Sequence, residues 1–259
     1  MDPGRSERRT RRALLAHRAA RRLGALALGA LLIFGSLLPP APAAAASMPH
    51  RRVLLIGDSN IFGAIGWSLQ RELRALGYDV QRRGKPTSGL ARLDFFDWYD
   101  EARHLIAQKH PDVVIILFGG NDGQRLRFRD TGLPSIKWEN ESQWRWLYGE
   151  RVKRLMRLLA ADGRRVIFLS PTNRRPRIAR ERMGRVREVQ RDASRGIPGV
   201  TWVDMFPFTT DDDGHALRSG RDASGHTVNL RRGDGIHLTP EGGDVVVSRL
   251  LPVLRRIGI

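Results

Sequence analysis

Two uninterrupted apolar runs are the strongest features of the hydrophobic pattern along this chain. One covers residues 53–56 and ends at Gly57-Asp58-Ser59, and the other covers residues 113–118 and ends at Gly119-Gly120-Asn121-Asp122. Short continuous apolar runs are typical of parallel strands that are buried on both faces. The pattern therefore predicts two central strands, each followed by a polar loop.

Helical patterns separate these and three weaker strand patterns, at residues 78–82, 166–169 and 200–203. Apolar residues recur every three or four positions in each helical segment. The predicted helices cover residues 65–76, 97–109, 148–159 and 183–193, and a last one starts at Thr239-Pro240-Glu241. A capping residue followed by proline is a typical helix start, and Pro252 is expected to bend or end this last helix. The alternation predicts an α/β fold, with about five parallel strands and helices on both faces of the sheet.

Two long segments, residues 123–143 and 207–233, show neither the continuous apolar run of a buried strand nor the three-to-four-residue spacing of a helix. Long segments of this kind in a compact domain are usually functional or mobile. Both follow predicted strands, so we expect them to lie over the end of the sheet that carries Ser59. Arg125 and Trp138 in the first segment are therefore candidate substrate-binding residues.

The first 46 residues have the composition of a targeting segment. Residues 1–22 contain eight Arg and two acidic residues, residues 23–38 are apolar or small apart from Ser36, and a Pro- and Ala-rich run follows. This order is typical of a secretory signal, and the apolar stretch is shorter than the roughly 20 residues that span a membrane. We predict a signal peptide over residues 1–46, cleaved near Ala44 or Ala46, and export to the periplasm or the medium. An uncleaved N-terminal anchor is the alternative, and would be the chain's only membrane contact.

Charge and cysteine content restrict the possible partners and sites. The formal net charge is +18, and +12 remains without the first 46 residues. The excess is almost entirely Arg and is spread along the chain without a nucleic-acid-binding motif, so no nucleic acid partner is expected. A basic surface that suits anionic envelope polymers and a solvated surface without a partner both stay open. The absence of Cys excludes disulfides and thiolate metal sites.

Serine, histidine and aspartate occur in positions that suit nucleophilic catalysis. Ser59 follows a predicted strand, and a serine hydroxyl needs a base that a carboxylate orients. Asp234-Gly235-Ile236-His237 offers both groups just before the last helix. The alternatives are structural: Ser59 as a helix N-cap, Asn121-Asp122 as a turn, and Asp234-Gly235 as a hairpin turn with His237 in the core.

The ordered motifs resemble the four blocks of the SGNH (GDSL-type) hydrolase superfamily. The blocks are Gly57-Asp58-Ser59-Asn60, Gly89 in its loop, Gly119-Gly120-Asn121-Asp122 and Asp234-Gly235-Ile236-His237. The resemblance covers roughly residues 51–256 and implies a flavodoxin-like SGNH fold, with residues 47–259 as the catalytic domain. It also implies Ser59 as nucleophile, His237 as base and Asp234 as its orienting group. The oxyanion hole would comprise the backbone N–H groups of Ser59 and Gly89 and the side chain of Asn121, with Gly84 as the competitor of Gly89.

The neighbours of these residues are candidate substrate-binding positions. They are Asp58, Asn60, Gly120 and Asp122. No cofactor or metal is expected, and the acidic run at residues 211–213 is interpreted as a solvated turn because the ligand spacing of a calcium loop is absent. The predicted function is an exported serine esterase that removes O-acyl groups, above all O-acetyl groups, from a cell-envelope polysaccharide. An O-acyltransferase with the same site and a non-catalytic envelope-binding module are the alternatives.

Overall fold

Five parallel strands form the central sheet of the computed structural model, which describes residues 51–259. The strands are β1 (Arg52–Gly57), β2 (Asp79–Gly84), β3 (Val113–Leu117), β4 (Arg165–Leu169) and β5 (Val200–Val203). Their order in the sheet is β2-β1-β3-β4-β5, and all neighbouring pairs are parallel. The order changes direction between β1 and β3, where open α/β sheets bind their ligands at the carboxyl ends of the strands.

Helices cover both faces of this sheet. They are α1 (Ser59–Phe62), α2 (Ala64–Ala75), α3 (Trp98–Lys109), α4 (Glu141–Ala160), α5 (Arg177–Ser194), α6 (Phe206–Thr209) and α7 (Pro240–Arg256), with a 3-10 turn at Ala161–Gly163. An antiparallel hairpin of β6 (Ser219–Arg221) and β7 (Thr227–Asn229) precedes α7. The predicted α/β fold with five parallel strands is thus confirmed.

The strands bury both of their faces because successive residues point into different cores. In β1, Leu54 and Ile56 join the core under α3, α4 and α5, whereas Val53 and Leu55 join the core under α2 and α7. The apolar runs in the sequence are continuous for this reason, since a strand between two helical layers has no solvent-facing side.

Pro252 lies inside α7, so the expectation of an end to the helix there is wrong, and the expectation of a bend stays a prediction. Leu250 and Leu254 on either side of it are completely buried. Their packing against the sheet outweighs the backbone hydrogen bond that proline cannot make. The start of α7 agrees with the sequence, because Thr239 accepts a hydrogen bond from the Gly242 N–H at 2.9 Å.

The predicted signal peptide or anchor at residues 1–46 lies outside the described residues. Within residues 51–259, no helix combines the length and apolar character that a membrane span requires. Of the two long segments, residues 207–233 contain most of α6 and the hairpin, and residues 123–143 contain the start of α4. Both segments are therefore partly regular, which the sequence pattern did not predict.

Candidate active site

Ser59 lies at the carboxyl end of β1, as the first residue of α1. The residue that caps α1 is Asp58, whose Oδ1 accepts a hydrogen bond from the Asn60 N–H at 2.9 Å. The alternative in which Ser59 is the N-cap is therefore wrong by one position. Because Asp58 caps the helix, the hydroxyl of Ser59 is free for other contacts.

The hydroxyl of Ser59 meets the imidazole of His237, which comes from the loop before α7. Ser59 Oγ lies 3.1 Å from His237 Nε2, and His237 Nδ1 lies 2.7 Å from Asp234 Oδ2. The structure thus brings the three predicted catalytic side chains together across 178 positions of sequence. Hydrogen bonds of this length link a nucleophile, a base and an orienting carboxylate.

Asp234 is held by its own loop in the orientation that His237 needs. Its Oδ1 accepts hydrogen bonds from the N–H groups of Ile236 at 2.8 Å and His237 at 2.9 Å. Partial burial acts to raise the pKa of Asp234, but the hydrogen bonds from His237 and Ile236 outweigh it and lower this pKa to about 2. Asp234 is therefore a carboxylate at neutral pH, and can stabilise a protonated His237.

Asn121 and Gly89 lie on adjacent loops beside the serine. Asn121 Nδ2 donates a hydrogen bond to the Ser88 carbonyl at 3.0 Å, which places the amide next to Gly89. Gly84, the competitor, is the last residue of β2 and pairs with Gly57. The position of Gly89 beside Asn121 favours it over Gly84, and its role in the oxyanion hole stays a prediction.

Asp122 supports the Gly89 loop from inside the protein. It is fully buried, and its carboxyl group accepts hydrogen bonds from the Ala91 N–H and the Tyr148 hydroxyl, both at 2.8 Å. A Cβ atom on Gly89 would lie 2.1 Å from Asp122 Oδ1, so the close approach requires glycine. The prediction that Asp122 binds substrate is wrong, because its polar atoms are already used within the fold.

Asp58 connects the loops that follow β1 and β3, and is also fully buried. Its Oδ1 accepts a second hydrogen bond, from Asn60 Nδ2 at 2.9 Å, and its Oδ2 accepts one from the Gly120 N–H at 3.1 Å. Burial raises the pKa of Asp58, against the effect of its hydrogen bonds to Asn60 and the charge of Arg174. The substrate-binding prediction is wrong for Asp58, which instead sets the spacing between Ser59 and Asn121.

Trp138 packs into the protein instead of lining a cleft at the serine. Its ring lies 4.6 Å from that of Trp144, and the guanidinium of Arg185 lies 4.0 Å over it. The structure therefore gives Trp138 a packing role, and substrate binding by this residue is not supported. Arg125 is exposed, and its predicted contact with substrate remains untested.

Two clefts border the site. The first has a volume of about 570 Å³ and is lined by Ser59 and His237 together with Phe62, Trp67 and other residues of α2 and α7. Asn60, the residue after Ser59, also lines this cleft. Trp67 is 62% exposed there, which makes it the largest aromatic surface in this cleft.

The second cleft, of about 460 Å³, is lined by Gly120 and Asn121 together with Arg174 and Arg182. Arg174 is not among the site residues predicted from the sequence. The signal was present, because residues 170–176 follow the predicted strand at residues 166–169, and loops after parallel strands meet at one edge of a sheet.

A group of possible metal ligands occurs on the loop after α6. Asp211, Asp213 and His215 are exposed, and their ligand atoms lie within 4.8 Å of one another. Asp211 Oδ1 accepts a hydrogen bond from the His215 N–H at 2.7 Å, as in a polar turn. Nothing else in the described part of the chain indicates an ion there, so the interpretation as a turn is kept.

Comparisons with known proteins give one family match and several solved structures with a similar fold. A family model described as "Protein of unknown function (DUF459)" matches residues 52–253. A search of curated proteins finds no match. A variant of an acetyl xylan esterase from Geobacillus stearothermophilus is similar, with 19% identity and a TM-score of 0.54 over 80% of this chain and 94% of that chain. A GDSL-like lipase from Bacteroides thetaiotaomicron has 16% identity and a TM-score of 0.52 over 80% and 89%. At these identities the similarity establishes the fold.

Proposed function

We propose that this chain, which belongs to the DUF459 family and has the fold of the SGNH hydrolases, is a serine esterase with Ser59 as its nucleophile. The observation that carries the proposal is the hydrogen-bonded series Ser59, His237 and Asp234, with separations of 3.1 and 2.7 Å. None of the structural alternatives requires these three side chains to meet. The intact series also argues against a module that only binds the envelope.

The reaction proceeds through an acyl-enzyme. Ser59 Oγ attacks the ester carbonyl while His237 Nε2 takes its proton, and negative charge develops on the carbonyl oxygen. The N–H groups of Ser59 and Gly89 and the free N–H of the Asn121 amide stabilise that charge. His237 then gives the proton to the departing alkoxide. Water deprotonated by His237 finally releases the acid and restores Ser59.

The substrate in this proposal is an O-acetylated polysaccharide of the cell envelope. Trp67 supports a sugar substrate, because an exposed indole beside the nucleophile offers a face for a sugar ring, and its N–H can meet hydroxyl groups. A solved structure with the same fold is described as an acetyl xylan esterase. The signal-like residues 1–46 support export to the compartment in which such polymers occur.

Ser59→Ala tests the proposal. The variant should lose hydrolysis of 4-nitrophenyl acetate and labelling by a fluorophosphonate probe, because both need the Ser59 oxygen. Ser224→Ala, which changes an exposed serine in the β6–β7 turn, should retain both activities. Release of acetate from purified envelope polysaccharides identifies the natural ester class. Wild-type turnover by a folded Ser59→Ala protein would exclude the serine mechanism.

A further inference from the structure

Two arginines, Arg174 and Arg182, line the second cleft, and the guanidinium group of neither has a hydrogen-bond acceptor within the described residues. Neither Arg174 nor Arg182 donates a side-chain hydrogen bond to any residue in the described range, and neither has a carboxylate within 4.0 Å there. On the same helix as Arg182, Arg177 pairs with Glu181 and Arg187 pairs with Asp204. The arginines at the cleft therefore differ from Arg177 and Arg187, whereas Arg180 on the same helix also has no acidic partner within the described residues.

Arg174 is held against the loop that carries Asn121. A Cβ atom on Gly120 would lie 2.6 Å from Arg174 Nη2, so the guanidinium packs directly on the Gly120 backbone. Burial lowers the pKa of Arg174, and the charges of Asp58 and Asp234 only partly offset this effect. Burying a cation without hydrogen-bond acceptors costs free energy, which a bound anion would recover.

Positive charge extends behind the cleft. Arg231 is 7% exposed, donates Nη1 to the Ile236 carbonyl at 2.8 Å, and has no acceptor for Nε or Nη2 among residues 51–259. Burial and the nearby Arg174 lower the pKa of Arg231 to about 10. Two cations thus oppose each other beside Asp234, and this arrangement favours a further negative charge.

None of the residues that line this cleft has an acidic side chain. Its polar side chains are Asn121, Gln124, Arg174 and Arg182, and the rest of the lining is glycine or apolar. The start of α5 borders the cleft, with no acidic residue in its first turn and no side chain capping its N–H groups. A volume of about 460 Å³ is within the range of small-ligand sites, and admits one sugar unit.

We infer that this cleft binds the carboxylate of an acidic sugar unit, held by Arg174 and Arg182, next to the unit whose ester is cleaved at Ser59. A carboxylate matches the planar pairs of N–H groups on guanidinium, and accepts two hydrogen bonds from each arginine. The inference rests on the proposed function for the identity of the reaction. It adds that the polysaccharide contains uronic acid units.

Binding can be measured without turnover. Trigalacturonate is titrated by calorimetry into the full Ser59→Ala chain and into the same chain with Arg182→Gln. Because a hydrogen bond to a charged group contributes about 1.5–3 kcal/mol, the second protein should bind at least about tenfold more weakly. Arg180→Gln is the matched control, since Arg180 is on the same helix but borders a different cleft, with His215 and Arg218. It should bind as the Ser59→Ala protein does.

Several results would overturn the inference. They are an absence of trigalacturonate binding, an equal loss with Arg180→Gln, and xylotriose binding as tight as that of trigalacturonate. Displacement of trigalacturonate by inorganic phosphate at lower concentration would show that the anion is a phosphate, and would overturn the carboxylate assignment.

Kinetics separate this inference from the proposed function. In the otherwise wild-type chain, Arg182→Gln should lower kcat/KM on acetylated oligogalacturonate about tenfold or more relative to kcat/KM on 4-nitrophenyl acetate. Arg180→Gln should leave both values unchanged. If the wild-type chain hydrolyses no ester, the proposed function fails. The calorimetry still shows whether the cleft binds the carboxylate of an acidic sugar. If it hydrolyses the aryl ester but shows no preference for acidic over neutral acetylated sugars, the inference alone fails.

Discussion

The side chain of Asn121 belongs to two arrangements at once. One N–H of its amide donates to the Ser88 carbonyl at 3.0 Å, and this bond fixes the plane of the amide. The second N–H remains available for the carbonyl oxygen of a substrate. A neutral, fixed donor of this kind stabilises charge that appears only in the transition state. The residue should therefore matter more for rate than for substrate binding.

Asn121→Ala should lower kcat on 4-nitrophenyl acetate roughly 100-fold or more while changing KM little. The free energy of unfolding should fall by only about 1 kcal/mol, since one hydrogen bond is lost. Steady-state kinetics and urea unfolding measure the two quantities. A rise in KM with unchanged kcat would show that Asn121 binds the ground state and is not part of an oxyanion hole.

At the scale of elements, two tryptophans have different surroundings because one lies on a helix and the other on the loop before a helix. Trp67 lies on the exposed side of α2, next to the first cleft, with the Arg82 guanidinium 4.0 Å from its ring centre. Trp138 precedes α4 and is packed between Trp144 and Arg185. The first position suits contact with substrate, and the second suits anchoring of the loop.

Trp67→Ala should raise KM for an acetylated polysaccharide several-fold, and leave turnover of 4-nitrophenyl acetate nearly unchanged, because the lost contact is with the sugar. Trp138→Ala serves as the matched variant. It should lower the free energy of unfolding by roughly 1–3 kcal/mol through lost packing. Kinetics on both substrates and urea unfolding of both variants check this pair. The assignment of roles would be reversed if Trp138→Ala alone raised KM for the polymer.

At the scale of the whole molecule, one buried network joins the site to α4 and α5, the two long helices that cover the core containing Leu54 and Ile56. Asp122 accepts from the Tyr148 hydroxyl on α4, and the Tyr148 oxygen accepts from Gln190 Nε2 on α5 at 2.9 Å. Burial raises the pKa of Asp122 to about 6, although hydrogen bonds from Ala91, Tyr148 and Leu90 act to lower it. The protonation of one carboxyl group is thus coupled to the packing of the domain.

This coupling predicts a pH dependence of stability. The folded protein holds the Asp122 proton more tightly than the unfolded chain, whose carboxyl has a pKa near 3.8. The contribution to stability is therefore complete below about pH 4 and is lost as the pH rises through about 6, by roughly 3 kcal/mol at most. Urea unfolding between pH 4 and 6.5 measures this loss. The relevant quantity is the change in the free energy of unfolding with pH for the wild type, minus the same change for Asp122→Asn.

The half-buried carboxyl group of Asp222 provides the control for this slope. Hydrogen bonds from Ser224 and His226 lower the pKa of Asp222, so its titration lies below this pH window. Asp222→Asn should therefore keep the wild-type slope between pH 4 and 6.5. A wild-type stability that rises across this window relative to Asp122→Asn would contradict the raised pKa.

The sequence determined the sheet, the helices around it and the edge of the sheet at which Ser59, Asn121 and His237 lie. The runs at residues 53–56 and 113–118 could be recognised because a strand buried on both faces leaves a continuous apolar signal. Ser59, Asn121 and His237 could be placed together because the loops after parallel strands meet at one edge. These inferences needed only local patterns and the order of the motifs along the chain.

Tertiary structure alone decided which polar residues near Ser59 and Asn121 are buried in the fold and which line the clefts. Asp58 and Asp122 look like site residues in sequence, yet both are buried and fully used by backbone N–H groups and Tyr148. Arg174 was given no site role from the sequence, although it borders the second cleft. The reason is physical: burial and hydrogen-bond partners depend on contacts between residues that are distant in sequence, and no local pattern records them.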